Sequence, residues 1–271
     1  MHLDAFALAL GAAVLHALWN VLLARTRDPQ AATAAAFCIG VAIWAPVAAV
    51  RWRVEAGAWK YIAASAAFEL AYVLLLGAAY VAAPLSVFYP IARGLSPVLV
   101  LVVAVLALNA ETTATQALGV CAVGAGILIV RGRKPDRAGT LFGLAIASTI
   151  AGYTLIDNTG VTLADPLAYL VAVMTGPALV AVAIVGLRQG APALRAAFRR
   201  ETVLIAPLTF APYALTLYAL RLAPAAPVAA VRETSVLFAT ALAAIVLKEH
   251  VSRWRAIGAG VVVAGVVLIA V

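Results

Sequence analysis

Charged side chains make up only 11% of the 271 residues, and just eleven of them are acidic. A soluble domain carries roughly 25%. With 66% of residues hydrophobic and a mean hydropathy of +1.08, too little polar side chain remains to cover a water-facing surface. That excludes an ordinary soluble fold. Cysteine is nearly absent. Cys38 and Cys121 lie in apolar runs, in no CxxC or Cys/His cluster, so they read as small core residues. No metal and no cofactor are expected. No Lys or Arg precedes the first apolar run, so the basic region of a cleavable signal is lacking. There is no GxxxxGK[ST] loop, which argues against a built-in ATPase.

What the chain has instead is apolar runs close to the ~20 residues that cross a bilayer. Spans are expected over 3–23, 33–50, 60–80, 84–108, 113–130, 139–156, 164–187, 202–221, 224–247 and 254–271. The runs are rich in Ala, Leu and Val and lack the in/out alternation of barrel strands, so helices satisfy the backbone. The expected fold is an all-α polytopic membrane protein of about ten transmembrane helices. The net charge of +8 sits in the breaks between runs. There it sets topology and meets lipid headgroups, and nucleic acid is not an expected partner.

The chain repeats itself. Arg93-Gly-Leu-Ser96 recurs as Arg232-Glu-Thr-Ser235, and Gly119 and Gly126 recur as Gly258 and Gly265, all at one offset of 139. Glu111 answers Glu249 with one residue of slippage. Repeats over 1–130 and 138–271 are therefore expected, five spans each. An odd number of spans turns the second repeat upside down. Thirteen Lys/Arg fall on one side and four on the side of the termini, which places both termini outside the cytoplasm. Inverted repeats are a common transporter plan, with the substrate site at their interface.

The pattern resembles the drug/metabolite transporter superfamily, specifically proteins with paired EamA domains. The matching segments are His16-Ala-Leu-Trp-Asn20, Pro84 to Gly94, Tyr153-Thr-Leu-Ile-Asp157 and Val231 to Phe238. The resemblance implies a ten-span basket in the cell membrane. Its central cavity would move metabolites or toxic compounds, often outward. Small multidrug-resistance relatives carry a proton-coupling Glu in the first span. Span 1 here has His16 and no mid-span acid, so that mechanism does not carry over.

Arg93 and Arg232 fall about 12–14 Å into their spans, near mid-membrane, where a cation faces a partner or a wet cavity. Two readings stand. They bind an anionic group or a coupling acid, or they are structural, tied to carbonyls freed by Pro90 and Pro97. Glu69 lies mid-span with Tyr72 on roughly the same face. It is the candidate proton carrier, or else a permanent ion-pair partner of Arg93. Glu233 diverges from Arg232 by about 100° on a helix, so it is expected to meet the first half. His16, Trp19 and Asn20 share a face at i, i+3, i+4. Tyr89, Tyr153 and Ser235 complete the candidate lining, with Tyr213 a weaker candidate. Asp157, near a span end, is expected to be solvated at the interface. Ala122/Gly126 and Gly260/Ala264 are small-xxx-small pairs that suggest close helix approach.

The expected function is a secondary transporter, an exporter of a small metabolite or toxic compound, not an enzyme. Its expected partners are that substrate, membrane lipid and a coupled proton, with the chain a monomer or homodimer. The alternative is an intramembrane enzyme acting on lipid or peptide. It needs a Ser/His pair, paired Asp or HExxH, and His16, His250 and Ser96 sit in no such motif.

Overall fold

A computed structural model describes residues 1–24, 26–83, 85–131, 136–238, 241 and 253–270. Helices dominate: α1 Leu3–Ala24, α2 Pro29–Val50, α3 Trp59–Ala82, α4 Leu85–Leu108, α5 Ala114–Arg131, α6 Arg137–Gly160, α7 Pro166–Ala197, α8 Arg200–Leu222, α9 Ala225–Arg232 and α10 Arg253–Ala270. Among the described residues, seven stretches are long and apolar enough to cross a bilayer, and α5 and α10 supply two shorter apolar helices. Large apolar side chains such as Val50, Val81, Leu106, Leu187 and Leu204 stand exposed on the outside. That is the arrangement lipid favours and water penalises.

The helix starts carry a repeat signal of their own. Asp28-Pro29 opens α2 and Asp165-Pro166 opens α7. Each Asp side chain accepts from backbone N–H groups of the first turn, and each Pro takes the first helical position. This moves the start of the second span from residue 33 to Pro29. Much of Arg188 to Ala197, expected as a loop, is helical, but Gly190 is not: with φ +81° and ψ 168° it separates two helical stretches within α7. The ninth span is not one helix. α9 stops at Arg232, Glu233 and Thr234 form a turn, and helix resumes over 235–238. Glu249, Pro84 and the 242–247 end of that span lie outside the described residues.

Helix neighbours reveal the symmetry. α1 packs on α8 and α6 on α3; α4 packs on α6 and α9 on α1; α2 meets α7, α4 meets α9, and α5 meets α10. Exchanging α1–α5 for α6–α10 leaves this set unchanged, as a two-fold axis requires. The axis passes between α5 and α10. Gly119 faces Gly265 and Gly126 faces Gly258, each so close that an added Cβ would lie 2.7 Å from the opposing carbonyl oxygen. Residue numbers rise on one helix as they fall on the other, so the two helices are antiparallel and the repeats inverted. Gly126 therefore does serve close approach. Gly260 has nothing within 4 Å, so the second small pair is not part of this seam.

On the terminus-bearing side the halves are also tied through loops. Val54 and Ala164 form an isolated antiparallel bridge. Glu55 N–H donates to Leu163 O at 3.0 Å, and Asp165 N–H to Arg53 O at 2.8 Å. Arg51 Nη2 lies 3.3 Å from Asp165 Oδ2.

Candidate functional site

At the interface of the halves the structure gathers several buried polar side chains, among them Arg93, Arg232, Glu233, Glu69 and Asp157. Arg93 enters from α4, eight residues or about 12 Å from its start. It is 4% exposed. Its Nη1 donates to Glu233 Oε1 at 3.1 Å and its Nε to Tyr89 OH at 3.3 Å. Its Nη2 meets His16 Nε2 from α1. Arg232, at the end of α9, lies with Nη2 3.6 Å from the same Glu233 oxygen. Its guanidinium stands over the Tyr153 ring of α6, 5.9 Å from the centroid. Two symmetry-related arginines thus share one carboxylate.

This sharing corrects two expectations. Arg93 pairs with Glu233 from the other half, not with Glu69. Glu233 does reach the first half as expected, yet it also stays near Arg232, because the helix gives way to a turn where the two residues are adjacent. Thr234 stabilises that turn by donating its hydroxyl to Val231 O at 2.7 Å. Ser235 is buried at the break, and its repeat mate Ser96 donates to Arg93 O at 3.3 Å.

Donors outnumber acceptors here. A guanidinium offers only N–H donors. His16 Nδ1 accepts from Trp19 Nε1 at 3.2 Å while its other nitrogen faces Arg93, so the ring lies between two donors although a neutral imidazole accepts at only one nitrogen. Among the described residues, Arg232 Nε and Nη2 are buried without a hydrogen-bond partner, and so is Glu233 Oε2. Asn20 shares the face of His16 but turns its amide onto His16 O at 2.6 Å, a bond within its own helix.

A second buried group adjoins the first. Asp157 on α6 is fully buried, not solvated at an interface. Its Oδ1 accepts from Ser65 of α3 at 2.6 Å and from Tyr169 of α7 at 2.9 Å, and its Oδ2 from Tyr213 of α8 at 2.7 Å. Tyr153 lies 6.2 Å from Tyr213 in a tilted pair and 6.4 Å from Tyr72 in an edge-on pair, centroid to centroid, and so joins the two groups. Glu69 is buried among them and makes no hydrogen bond with the described residues. Ser65, Glu69 and Tyr72 follow at i, i+4, i+7, and Tyr153 and Asp157 at i, i+4. That spacing is the signal by which the second group is recognisable in the sequence.

Beside Arg93 lies a tight crevice lined by Tyr72, Leu76, Phe88, Tyr89, Ala92, Arg93, Ile146 and Ile150, with no room for even a water molecule. The centre is therefore closed in this conformation, an apolar slot with a guanidinium at one edge.

Comparison with known proteins bears on both fold and site. The EamA-like transporter family matches residues 4–132 and again 137–271. A solved structure, described only as a crystal structure of a protein, superposes with a TM-score of 0.75 at 17% identity. The match covers 98% of this chain and 96% of that one, which shows a shared fold. No curated protein matches the chain significantly.

Proposed function

The chain belongs to the EamA-like transporter family, and we propose that it is a secondary transporter carrying a small metabolite or toxic compound outward through the centre formed by Arg93, Glu233 and Arg232. One observation carries this reading. Two arginines related by the repeat, buried at mid-depth and drawn from opposed halves, converge on a single carboxylate. A scaffold with no cargo gains little from two buried cations, since charge in a bilayer core is costly. A rocking carrier uses such a place, where both halves can close on a ligand. His16 has both ring nitrogens engaged by Trp19 and Arg93, so neither is left to activate a serine, which favours transport over hydrolysis.

Membership implies a multi-pass membrane protein with a small-molecule cargo, and we place it in the cell membrane. His16, Trp19, Tyr72, Tyr89, Tyr153 and Ser235 are assigned to the lining, and Asn20 to holding the His16 turn. Glu69 is assigned a coupled proton, since it is a buried acid with no hydrogen bond to hold it among the described residues. The closed centre and the joined loops at residues 53–55 and 163–165 correspond to a carrier shut on the terminus-bearing side.

Alternating access supplies a test that needs no known substrate. Ala92→Cys, in a chain with Cys38→Ala and Cys121→Ala, puts one thiol in the crevice. A membrane-impermeant maleimide should label it from each face, in right-side-out and in inverted vesicles. Labelling from one face alone, or from neither, refutes the transport cycle.

A further inference from the structure

The central site has unmet hydrogen-bonding demand of a particular kind. Arg232 is 7% exposed, and its Nε and Nη2 make no hydrogen bond among the described residues, Nη2 standing 3.6 Å from Glu233 Oε1. His16 lies between two donors. Arg93 and Arg232 share Glu233 Oε1, and besides the His16 nitrogen the other acceptors among the described residues that reach the guanidiniums are neutral hydroxyls, Tyr89 on Arg93 and Tyr153 on Arg232. Buried donors without acceptors cost free energy, and a site that leaves them so is completed by whatever supplies the missing oxygen atoms.

Charge points the same way. Arg93 and Arg232 set against Glu233 leave one positive charge. Asp157 forms no ion pair with either arginine, because its oxygens accept from the hydroxyls of Ser65, Tyr169 and Tyr213, so the unmet donors of the arginines are left to a ligand. Glu69 carrying its proton, as proposed above, adds no charge. Shape narrows the ligand further. The crevice that reaches Arg93 is walled by Leu76, Phe88, Ile146 and Ile150, with Tyr72 and Tyr89. A bare inorganic anion would leave those walls dry and empty.

We infer that the cargo is a small organic monoanion, its carboxylate held between Arg93 and Arg232 and its apolar body against the walls beside Tyr89 when the closed crevice opens. This rests on the transport reading and names the substrate class of that site. Planar guanidinium matches carboxylate through paired N–H···O bonds, which favours this head group. Glu233 Oε2 is buried without a donor, and a hydroxyl next to the carboxylate is suited to it. A 2-hydroxy acid with an aromatic or branched body is therefore the best-matched probe.

The experiment uses the full-length protein in detergent and titration calorimetry with four probes of one shape: 3-phenyllactate, 3-phenylpropionate, phenylalanine and phenethylamine. Phenyllactate is expected to bind most tightly, with phenylpropionate next. Arg232→Gln should weaken both acids roughly ten- to hundredfold, the effect of losing hydrogen bonds between charged groups. Arg93→Lys keeps the charge, guards against misfolding, and should weaken them less. Tightest binding by phenethylamine or phenylalanine overturns the inference. So does acid binding that survives Arg232→Gln in a protein with an unchanged melting temperature, or no binding by either acid. None of these results touches the transport reading, which stands or falls on two-sided labelling of Ala92→Cys.

Discussion

Asp157→Ala is the substitution whose cost follows most directly from the structure. Asp157 joins α6 to α3, α7 and α8 through hydroxyls of Ser65, Tyr169 and Tyr213, at 2.6, 2.9 and 2.7 Å. Removing the carboxylate leaves three hydroxyls in a buried place without their acceptor. Hydrogen bonds between membrane helices average about 0.6 kcal/mol, so three set a floor near 2 kcal/mol. At about 1.5 kcal/mol each, the lower value for a charged partner, they reach roughly 4–5 kcal/mol. A loss of about 2–5 kcal/mol is expected on reversible unfolding in mixed micelles. Asp157→Asn should lose less, about 1–2 kcal/mol, because the amide oxygen still accepts and a hydroxyl turns to accept from the amide nitrogen. Ser148→Ala is the control, since its hydroxyl faces outward and bonds only to Leu144 O of its own helix. In the Asp157→Ala background, Tyr213→Phe should cost almost nothing more, the mark of a shared interaction. If Asp157→Ala falls within ~0.5 kcal/mol of the Ser148→Ala control, the claim that this carboxylate holds four helices together is wrong.

Two further outcomes test the symmetry and the loop tie. Gly126→Ala should destabilise by about 1–3 kcal/mol, because its Cβ would lie 2.7 Å from Gly258 O and from Val262, whereas Gly260→Ala, with nothing within 4 Å, should be neutral within ~0.5 kcal/mol; equal effects on the melting temperature would dismiss the α5–α10 seam. Val54→Cys with Ala164→Cys places two thiols across a β-bridge, within the span of a disulfide. Oxidation should stop impermeant maleimide from reaching Ala92→Cys on the terminus-bearing face, with access restored by reduction, and unchanged labelling would show that these loops do not close the path.

The plan of the molecule was legible in the sequence because bilayers restrict it so strongly. Run length gave the helices, the shared offset gave the repeat, and an odd number of spans gave the inversion. Arg93 and Arg232 stood out because cations in apolar runs are rare. Asp157 was misjudged since a count from the start of its run puts it near a boundary, although α6 continues to Gly160 and buries it. The stripe Ser65, Glu69, Tyr72 on α3 held the correcting signal in its spacing. The break at Glu233 had no such signal: Arg232-Glu-Thr-Ser contains neither Pro nor Gly. It depends on a Thr hydroxyl competing for a backbone carbonyl and on Arg93 drawing Glu233 across from another helix, and neither is a local property of the chain.

The place where the repeat is broken explains why one acid serves two arginines. Counting 139 residues back from Glu233 reaches Gly94. A side chain there is crowded by backbone, for a Cβ on Gly94 would lie 3.0 Å from Gly124 O, and one on Gly124 would lie 2.6 Å from Gly94 O. α4 and α5 touch through that glycine pair. The residue matching Gly124 in the second half is Val263, 54% exposed, so no glycine seam constrains position 233. An acid is sterically permitted on one side of the axis and crowded on the other. Strict symmetry was thus disfavoured. Two glycines would leave Arg93 and Arg232 buried without a carboxylate, and removing a buried charge's partner costs about 3–5 kcal/mol. Two glutamates would force α4 from α5. Moving the acid across the axis, Gly94→Glu with Glu233→Gly, keeps composition and net charge but should not rebuild the site in mirror image. It should abolish the monodisperse peak on size-exclusion chromatography, while Glu233→Asp retains it. A folded double variant with phenyllactate affinity within tenfold of the parent would show that the α4–α5 contact yields easily, and that the single shared carboxylate is a choice rather than a steric necessity.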